Sequence, residues 1–258
     1  MRYASLASGS KGNCHALTDG DRTLLIDAGI SYLQICTRLE ALGWPLDALK
    51  AVAFTHEHSD HIAALPMLLK HTDCAILATE DTLQAICRIK AVAVPAHRWI
   101  PLRPGHALDW EGWRILPFST PHDAVDPVAY RIEAGSVAAG VVTDLGHPTA
   151  LVADHCMDLD LLALEANHDI QMLREGGYPP VLKARILSRV GHLSNEAMAE
   201  LLARVCSPRL RAVVLAHLSE QNNEPDLARF AAEEVLRSHG IHPLVASQRQ
   251  PLLVAATV

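Results

Sequence analysis

The sequence predicts a mixed α/β domain in which two β-sheets pack face to face with helices on their outer sides. Three observations carry that expectation. Apolar runs of strand length recur along the chain, strands alternate with helices in its first and last thirds, and Gly, Pro and Asp punctuate residues 101–139 at hairpin spacing. Strict alternation would give one parallel sheet, and hairpins alone a bare sandwich. Their combination calls for two sheets with helical cover.

Taken in order, residues 2–6 and 23–27 are apolar enough for strands, and the Gly/Ser/Asn-rich residues 8–13 between them form a loop. A helix is expected over 32–42, a buried strand over 51–55, and a helix over 62–69 from its apolar spacing. The polar stretch 55–61 therefore falls at a strand-to-helix turn. Residues 74–79 are expected as a strand, 81–89 as a helix and 101–139 as antiparallel hairpins, after which Val141 and Val142 lead into Thr143 and Asp144. Beyond them lie a helix near 149–155, a strand over 161–165, helices near 180–190 and 195–205, a strand over 212–216 and a helix over 225–239.

With 258 residues, half of them hydrophobic, the chain can bury one large core, which excludes disorder and collagen-like repeats. Linkers, repeats and charge blocks are missing, so residues 1–258 are expected as a single domain. The 22 Lys and Arg against 29 Asp and Glu leave a net charge of -7, so nucleic-acid binding would have to rest on a local basic patch. Only 4% aromatic residues also argues against an extended base-stacking platform. Six cysteines without a C-x-x-C pair are expected as free thiols in a reducing compartment. No apolar run near the N-terminus or elsewhere approaches the roughly 18 residues of a membrane span, so a cytoplasmic protein is expected. The 15 histidines remain to be explained.

Thr55-His56-Glu57-His58-Ser59-Asp60-His61 places three imidazoles and Asp60 directly after an apolar strand. His56 and His58, two apart on an extended segment, point the same way and can grip one ion; Asp60 and His61, after the turn, can face a second. His122, Asp144 and His217 each follow another apolar strand, as expected where strand ends converge on a site.

The set His56-x-His58-x-Asp60-His61 with His122, Asp144 and His217 resembles the metallo-β-lactamase fold superfamily in its binuclear form. That resemblance implies a four-layer αββα sandwich, with metal one on His56, His58 and His122, metal two on Asp60, His61 and His217, and Asp144 bridging. The segments Ser5-Leu6-Ala7-Ser8-Gly9-Ser10-Lys11-Gly12-Asn13-Cys14, Leu25-Ile26-Asp27-Ala28-Gly29, Leu164-Glu165-Ala166-Asn167-His168-Asp169, Gly191-His192-Leu193-Ser194-Asn195 and Ala216-His217-Leu218-Ser219-Glu220 look like the YycJ/WalJ branch, which is similar to 5′-exonucleases acting on DNA. Lys11 departs from the small residue usual there. The 73 residues from Asp144 to His217 are too few for the inserted clamp domain of β-CASP nucleases.

Two neighbouring divalent ions would lower the pKa of a bridging water and stabilise charge growing on a phosphoryl centre, so a metal-bound hydroxide is the expected nucleophile. Zn suits the His-rich donor set best, and Mn and Fe accept nearly the same donors. Asp60 can both bind metal and orient that water. His192 resembles the general acid of ribonuclease Z-like phosphodiesterases, with Glu165 in the place of its carboxylate partner; the alternative is a neighbour of a helix cap at Ser194 or Asn195. Ser8, Ser10, Lys11 and Asn13 could cradle a phosphate, with Ser194 nearby, or form a plain turn. Lys183, Arg185, Arg189, Arg204, Arg209 and Arg211 could supply the basic patch, or simply face solvent. The expected activity is that of a binuclear phosphodiesterase acting on DNA from a 5′ end. The alternatives are a small-molecule or cyclic phosphodiesterase, a thioester, lactone or β-lactam hydrolase, and a metal-binding module without catalysis.

Overall fold

A computed structural model describes residues 1–255. The strands are β1 (Arg2–Ala7), β2 (Cys14–Thr18), β3 (Thr23–Ile26), β4 (Leu49–Ala53), β5 (Ala75–Thr79), β6 (Trp99–Leu102), β7 (Leu108–Trp110), β8 (Trp113–Ser119), β9 (Val128–Ala134), β10 (Val137–Val142), β11 (Leu161–Glu165), β12 (Ala212–Ala216), β13 (Leu244–Val245) and β14 (Leu252–Ala255). The helices are α1 (Tyr32–Ala41), α2 (Ser59–Ile62), α3 (Leu65–His71), α4 (Glu80–Lys90), α5 (Ala150–His155), α6 (Ile170–Glu175), α7 (Pro180–Ile186), α8 (Asn195–Val205) and α9 (Pro225–Leu236).

The strands form two seven-stranded sheets, ordered β14-β1-β2-β3-β4-β5-β6 and β13-β12-β11-β10-β9-β8-β7. Both combine an antiparallel half with a parallel half, β3 to β6 in one and β10 to β13 in the other. Three apolar layers follow from that arrangement. One lies between the sheets, where Tyr3, Leu24 and Leu77 meet Ile132, Val141 and Val214. A second packs α1 and α3 on the first sheet through Ile35, Leu39 and Leu68, and a third packs α8 and α9 on the second through Leu201, Leu202 and Ala232. The result is the expected αββα sandwich. Strands 161–165 and 212–216 and helix 195–205 match their expected bounds.

The helix expected over 62–69 is divided. Ser59–Ile62 and Leu65–His71 are separate helices, with Pro66 in the first turn of the second, where its missing N–H costs nothing. Strand β2 lies within a stretch where no element was expected, because its Cys, His and Thr lack a strand-like apolar pattern. His15 on β2 is nonetheless fully buried, its Nδ1 2.7 Å from the Tyr3 hydroxyl on the next strand. Between Asp144 and His217 lie α5, β11, α6 to α8 and β12. No helix among them is long and apolar enough to cross a membrane.

Candidate metal centre

The donors gather where strand ends from both sheets meet. The loop after β4 is clamped from several sides. Val128 N donates to Thr55 O at 3.0 Å, the Tyr130 hydroxyl to Phe54 O at 2.6 Å, Asn13 N to Asp60 O at 2.8 Å and Ala28 N to His61 O at 2.7 Å. Gly29 lies so close that a Cβ there would sit 1.6 Å from Asp60 O. Asp27, Asp144 and His217, each just past a strand end, adopt left-handed backbones with φ of 61°, 57° and 56°. Asp and His tolerate this conformation better than most residues, and the turn swings each side chain inward.

His56, His58 and His122 form one group whose ligand atoms lie within 4.8 Å of one another, and Asp60, His61 and His217 form a second. Asp144 stands between them, Oδ2 3.3 Å from His61 Nε2 and Oδ1 3.7 Å from His122 Nε2. His122 Nε2 faces His58 Nδ1 at 3.3 Å, and Asp60 Oδ2 lies 3.5 Å from both His61 Nε2 and His217 Nε2. His56 Nε2, His217 Nε2 and Asp144 Oδ2 are buried without a hydrogen-bond partner among the described residues. Orphaned lone pairs converging in this way are costly unless a cation takes them, so the donor set fits divalent metal.

The far side of four of the five rings is held. His61 Nδ1 donates to Asp27 Oδ2 at 2.8 Å, and His56 Nδ1 lies 2.9 Å from Thr55 Oγ1, which itself donates to Asp27 Oδ2. His122 Nδ1 donates to Gly191 O at 3.0 Å and His217 Nδ1 to Glu165 Oε1 at 2.9 Å. Each bond places the proton on Nδ1 and leaves Nε2 free to ligate. Asp27 and Thr55 had no site role in the sequence; an Asp at the end of an apolar strand was the signal available.

Glu165 is fully buried and accepts four hydrogen bonds, from His192 Nδ1 at 2.8 Å, His217 Nδ1 at 2.9 Å, Leu145 N at 2.7 Å and Leu193 N at 3.2 Å. Burial opposes its ionisation, but the charge and hydrogen bond of His192 and the hydrogen bond of His217 hold its carboxyl down at about 2. Asp60 and Asp144 are likewise pulled below the usual carboxylate range against burial, Asp60 by His61 and His217, Asp144 chiefly by His217 and His61. Burial disfavours charge on His217, yet Asp144, Asp60 and Glu165 together lift it to about 10 in the metal-free protein. The carboxylates thus stay anionic and ready for a cation.

His58, Asp60 and His192 are the partly exposed groups, the side chains of His192 and Asp60 being 22% and 24% exposed. With Nδ1 of His192 on Glu165, its Nε2 is the nitrogen left for a ligand. His192 lines a cavity of about 160 Å³ with Ser10, Tyr178 and Arg185.

The loop 8–13 is largely committed to itself. Ser8 Oγ accepts from His217 N at 2.7 Å and donates to Asn13 Oδ1 at 3.2 Å, while Asn13 Nδ2 reaches Asp60 Oδ2 at 3.4 Å. Lys11 pairs with Glu220, and Ser194 caps α8 by accepting from Ala197 N at 3.2 Å. Of the five residues expected at substrate, the exposed Ser10 faces the cavity. The basic patch is dispersed as well. Arg209 pairs with Asp160 and Arg211 N bonds Asp160 O, at the opposite end of β11 and β12 from the site. Arg204 lies ten residues along α8 from its cap, about 15 Å. Arg189 is tied to His147, Lys183 to Arg174 O, and Arg185 alone of the six lines the cavity. His168, given no site role in the sequence, is buried with neither ring nitrogen hydrogen-bonded among the described residues.

Residues 22–218 match the family model described as a beta-lactamase superfamily domain. The chain is 36% identical over 231 residues to the exodeoxyribonuclease WalJ of Streptococcus pneumoniae, covering 89% of this chain and 86% of that one. It is 31% identical over 240 residues to the exodeoxyribonuclease YycJ of Bacillus anthracis, covering 93% and 90%. The crystal structure of zinc-bound PqqB from Methylobacterium extorquens superposes with a TM-score of 0.72 at 19% identity, covering 98% of this chain and 99% of that one, a likeness of fold.

Proposed function

From the premise that this chain belongs to the beta-lactamase superfamily, in its WalJ/YycJ branch, we propose that it is a metal-dependent exonuclease that hydrolyses DNA phosphodiesters from a 5′ end. The observation that carries the proposal is His192, oriented by a buried Glu165 and facing open space beside the donor set. Hydrolysis of a phosphodiester expels a poor alkoxide leaving group that needs a proton, and His192 Nε2 would deliver it.

Two divalent ions, Zn in our assignment, would supply an activated water and offset charge at the phosphoryl centre. His56, His58 and His122 would hold one ion, Asp60, His61 and His217 the other, with Asp144 shared. Asp60 would also orient the attacking water, since its carboxylate is more exposed than that of Asp144. Glu165 acts through His192 and His217 as a positioning residue. Arg185, paired with Asp123, is the cation of the expected patch that reaches the cavity. One domain suffices, and the six unpaired cysteines support a reducing, cytoplasmic setting.

The test is metal-free protein reconstituted with Zn or Mn and assayed on 5′-labelled DNA, bis-p-nitrophenyl phosphate, a thioester and a lactam. DNA and phosphodiester turnover is expected; thioester or lactam turnover without it would refute the proposal. Asp144→Ala is expected to release metal, and retention of two ions would contradict its shared position.

A further inference from the structure

The cavity beside His192 is built from a segment that the metal centre does not use. Tyr178 lies between α6 and α7, and Leu182, Arg185 and Ile186 lie on α7. These residues close one side of the cavity, with His192 and Ser10 on the others. Its volume of about 160 Å³ is close to the ~150 Å³ that holds one benzene ring, room for a sugar or a single ring. The walls divide by chemistry. Leu182 and Ile186 are apolar and Tyr178 is aromatic, whereas Arg185, its partner Asp123, and His192 are polar.

Arg185 is exposed but tethered at one nitrogen. Its Nε binds Asp123 Oδ2, and Asp123 N donates to Val190 O at 3.0 Å, on the loop whose Gly191 O anchors His122. The guanidinium therefore keeps its terminal N–H groups for a ligand on the side of the cavity near His192. Because the cavity adjoins the residue that protonates the leaving oxygen, its occupant is the part of the substrate attached to that oxygen.

Building on the exonuclease assignment, we infer that this cavity receives the sugar of the departing terminal nucleotide. The sugar sits against Leu182 and Ile186, while at the open edge of the cavity the base stacks on the half-buried Tyr178 and the 5′-phosphate of the same nucleotide meets the exposed Arg185. The ligand class is a single deoxynucleoside monophosphate, which is also the product released. Tyr178 and Arg185 thereby set how well a strand end is held for cleavage.

The experiment uses the metal-loaded enzyme and two 5′-phosphorylated oligonucleotides that differ only in whether the terminal nucleotide carries a base or is abasic. Wild-type enzyme is expected to favour the base-bearing end about tenfold or more in kcat/KM, the range in which base–aromatic stacking operates. Tyr178→Ala is expected to collapse that preference toward one, mainly through KM, and Tyr178→Phe to keep it, since the phenyl ring still stacks. Arg185→Gln is expected to reduce the advantage of a 5′-phosphate over a 5′-hydroxyl end. DNA cleavage with no base preference in wild-type enzyme, or with the same preference in Tyr178→Ala, would overturn the inference and leave the exonuclease assignment standing. Failure of wild-type enzyme to cleave either oligonucleotide while hydrolysing bis-p-nitrophenyl phosphate would overturn both.

Discussion

Replacing Asp27 by Asn keeps the shape of the side chain and exchanges one acceptor for a donor. Thr55 N, Thr55 Oγ1 and His61 Nδ1 each reach the Asp27 carboxylate at 2.8 Å, the first on Oδ1 and the other two on Oδ2. An amide oxygen in place of Oδ1 retains the first bond. The NH₂ group in place of Oδ2 would meet two donors. His61 can accept from it only by moving its proton to Nε2, the nitrogen that faces Asp60 and Asp144 at 3.5 and 3.3 Å. Thr55 would likewise turn its hydrogen toward His56 Nδ1 and drive that proton to His56 Nε2. Two ligands would lose their free lone pairs together. Loss of one such outer partner costs 10- to 100-fold in metal affinity on the order of magnitude found generally. With two rings affected, the expectation is about 100-fold, or roughly 2.8 kcal/mol. The measurement is competition against a chromophoric chelator, with thermal melting of the metal-free protein as a control for folding. An Asn variant that melts like the wild type and binds metal equally well would refute the assignment of these proton positions.

Three further outcomes are expected. His192→Ala should slow DNA hydrolysis by about 10²- to 10⁴-fold, the range of general acid catalysis, and bis-p-nitrophenyl phosphate far less, because nitrophenolate leaves without a proton; equal losses on both would remove its acid role. Gly29→Ala should displace the backbone at Asp60 and weaken metal binding, since a Cβ there overlaps a carbonyl oxygen that cannot move alone; unchanged metal affinity measured by titration would count against that coupling. Asp160→Asn should cost about 1–3 kcal/mol by denaturant unfolding at pH 7, through weakened bonds to Arg209 and Ala138 N. Burial raises the Asp160 carboxyl, but Arg209 and the Ala138 N–H hold it below its ordinary value. A depressed carboxyl stabilises the fold above its unfolded value near 3.9 and loses that contribution as pH falls through the folded value. The difference between variant and wild type should therefore shrink below about pH 4; a constant difference across that range would exclude the ionic contribution.

What could be read along the chain was what short-range pattern encodes. Apolar runs and helical spacing located β11, β12 and α8, and the closeness of His56, His58, Asp60 and His61 in sequence marked a metal-binding loop before any fold was known. Such features depend on residues a few positions apart, where strand and helix periods act directly. The partners that make the loop work come from elsewhere. Asp27 meets His61 across 34 positions, and Glu165 joins His192 at 27 and His217 at 52. Arg204, Arg209 and Arg211 looked close to His192 in the chain, yet α8 and the return into β12 carry them to the other end of the sheet. Strand β14, pairing antiparallel with β1, closes the first sheet from the far terminus. These outcomes depend on which strand ends the crossovers bring together and which left-handed turns aim a side chain inward. Periodicity carries no record of either, so the tertiary structure alone decided which ring nitrogens are free to hold metal.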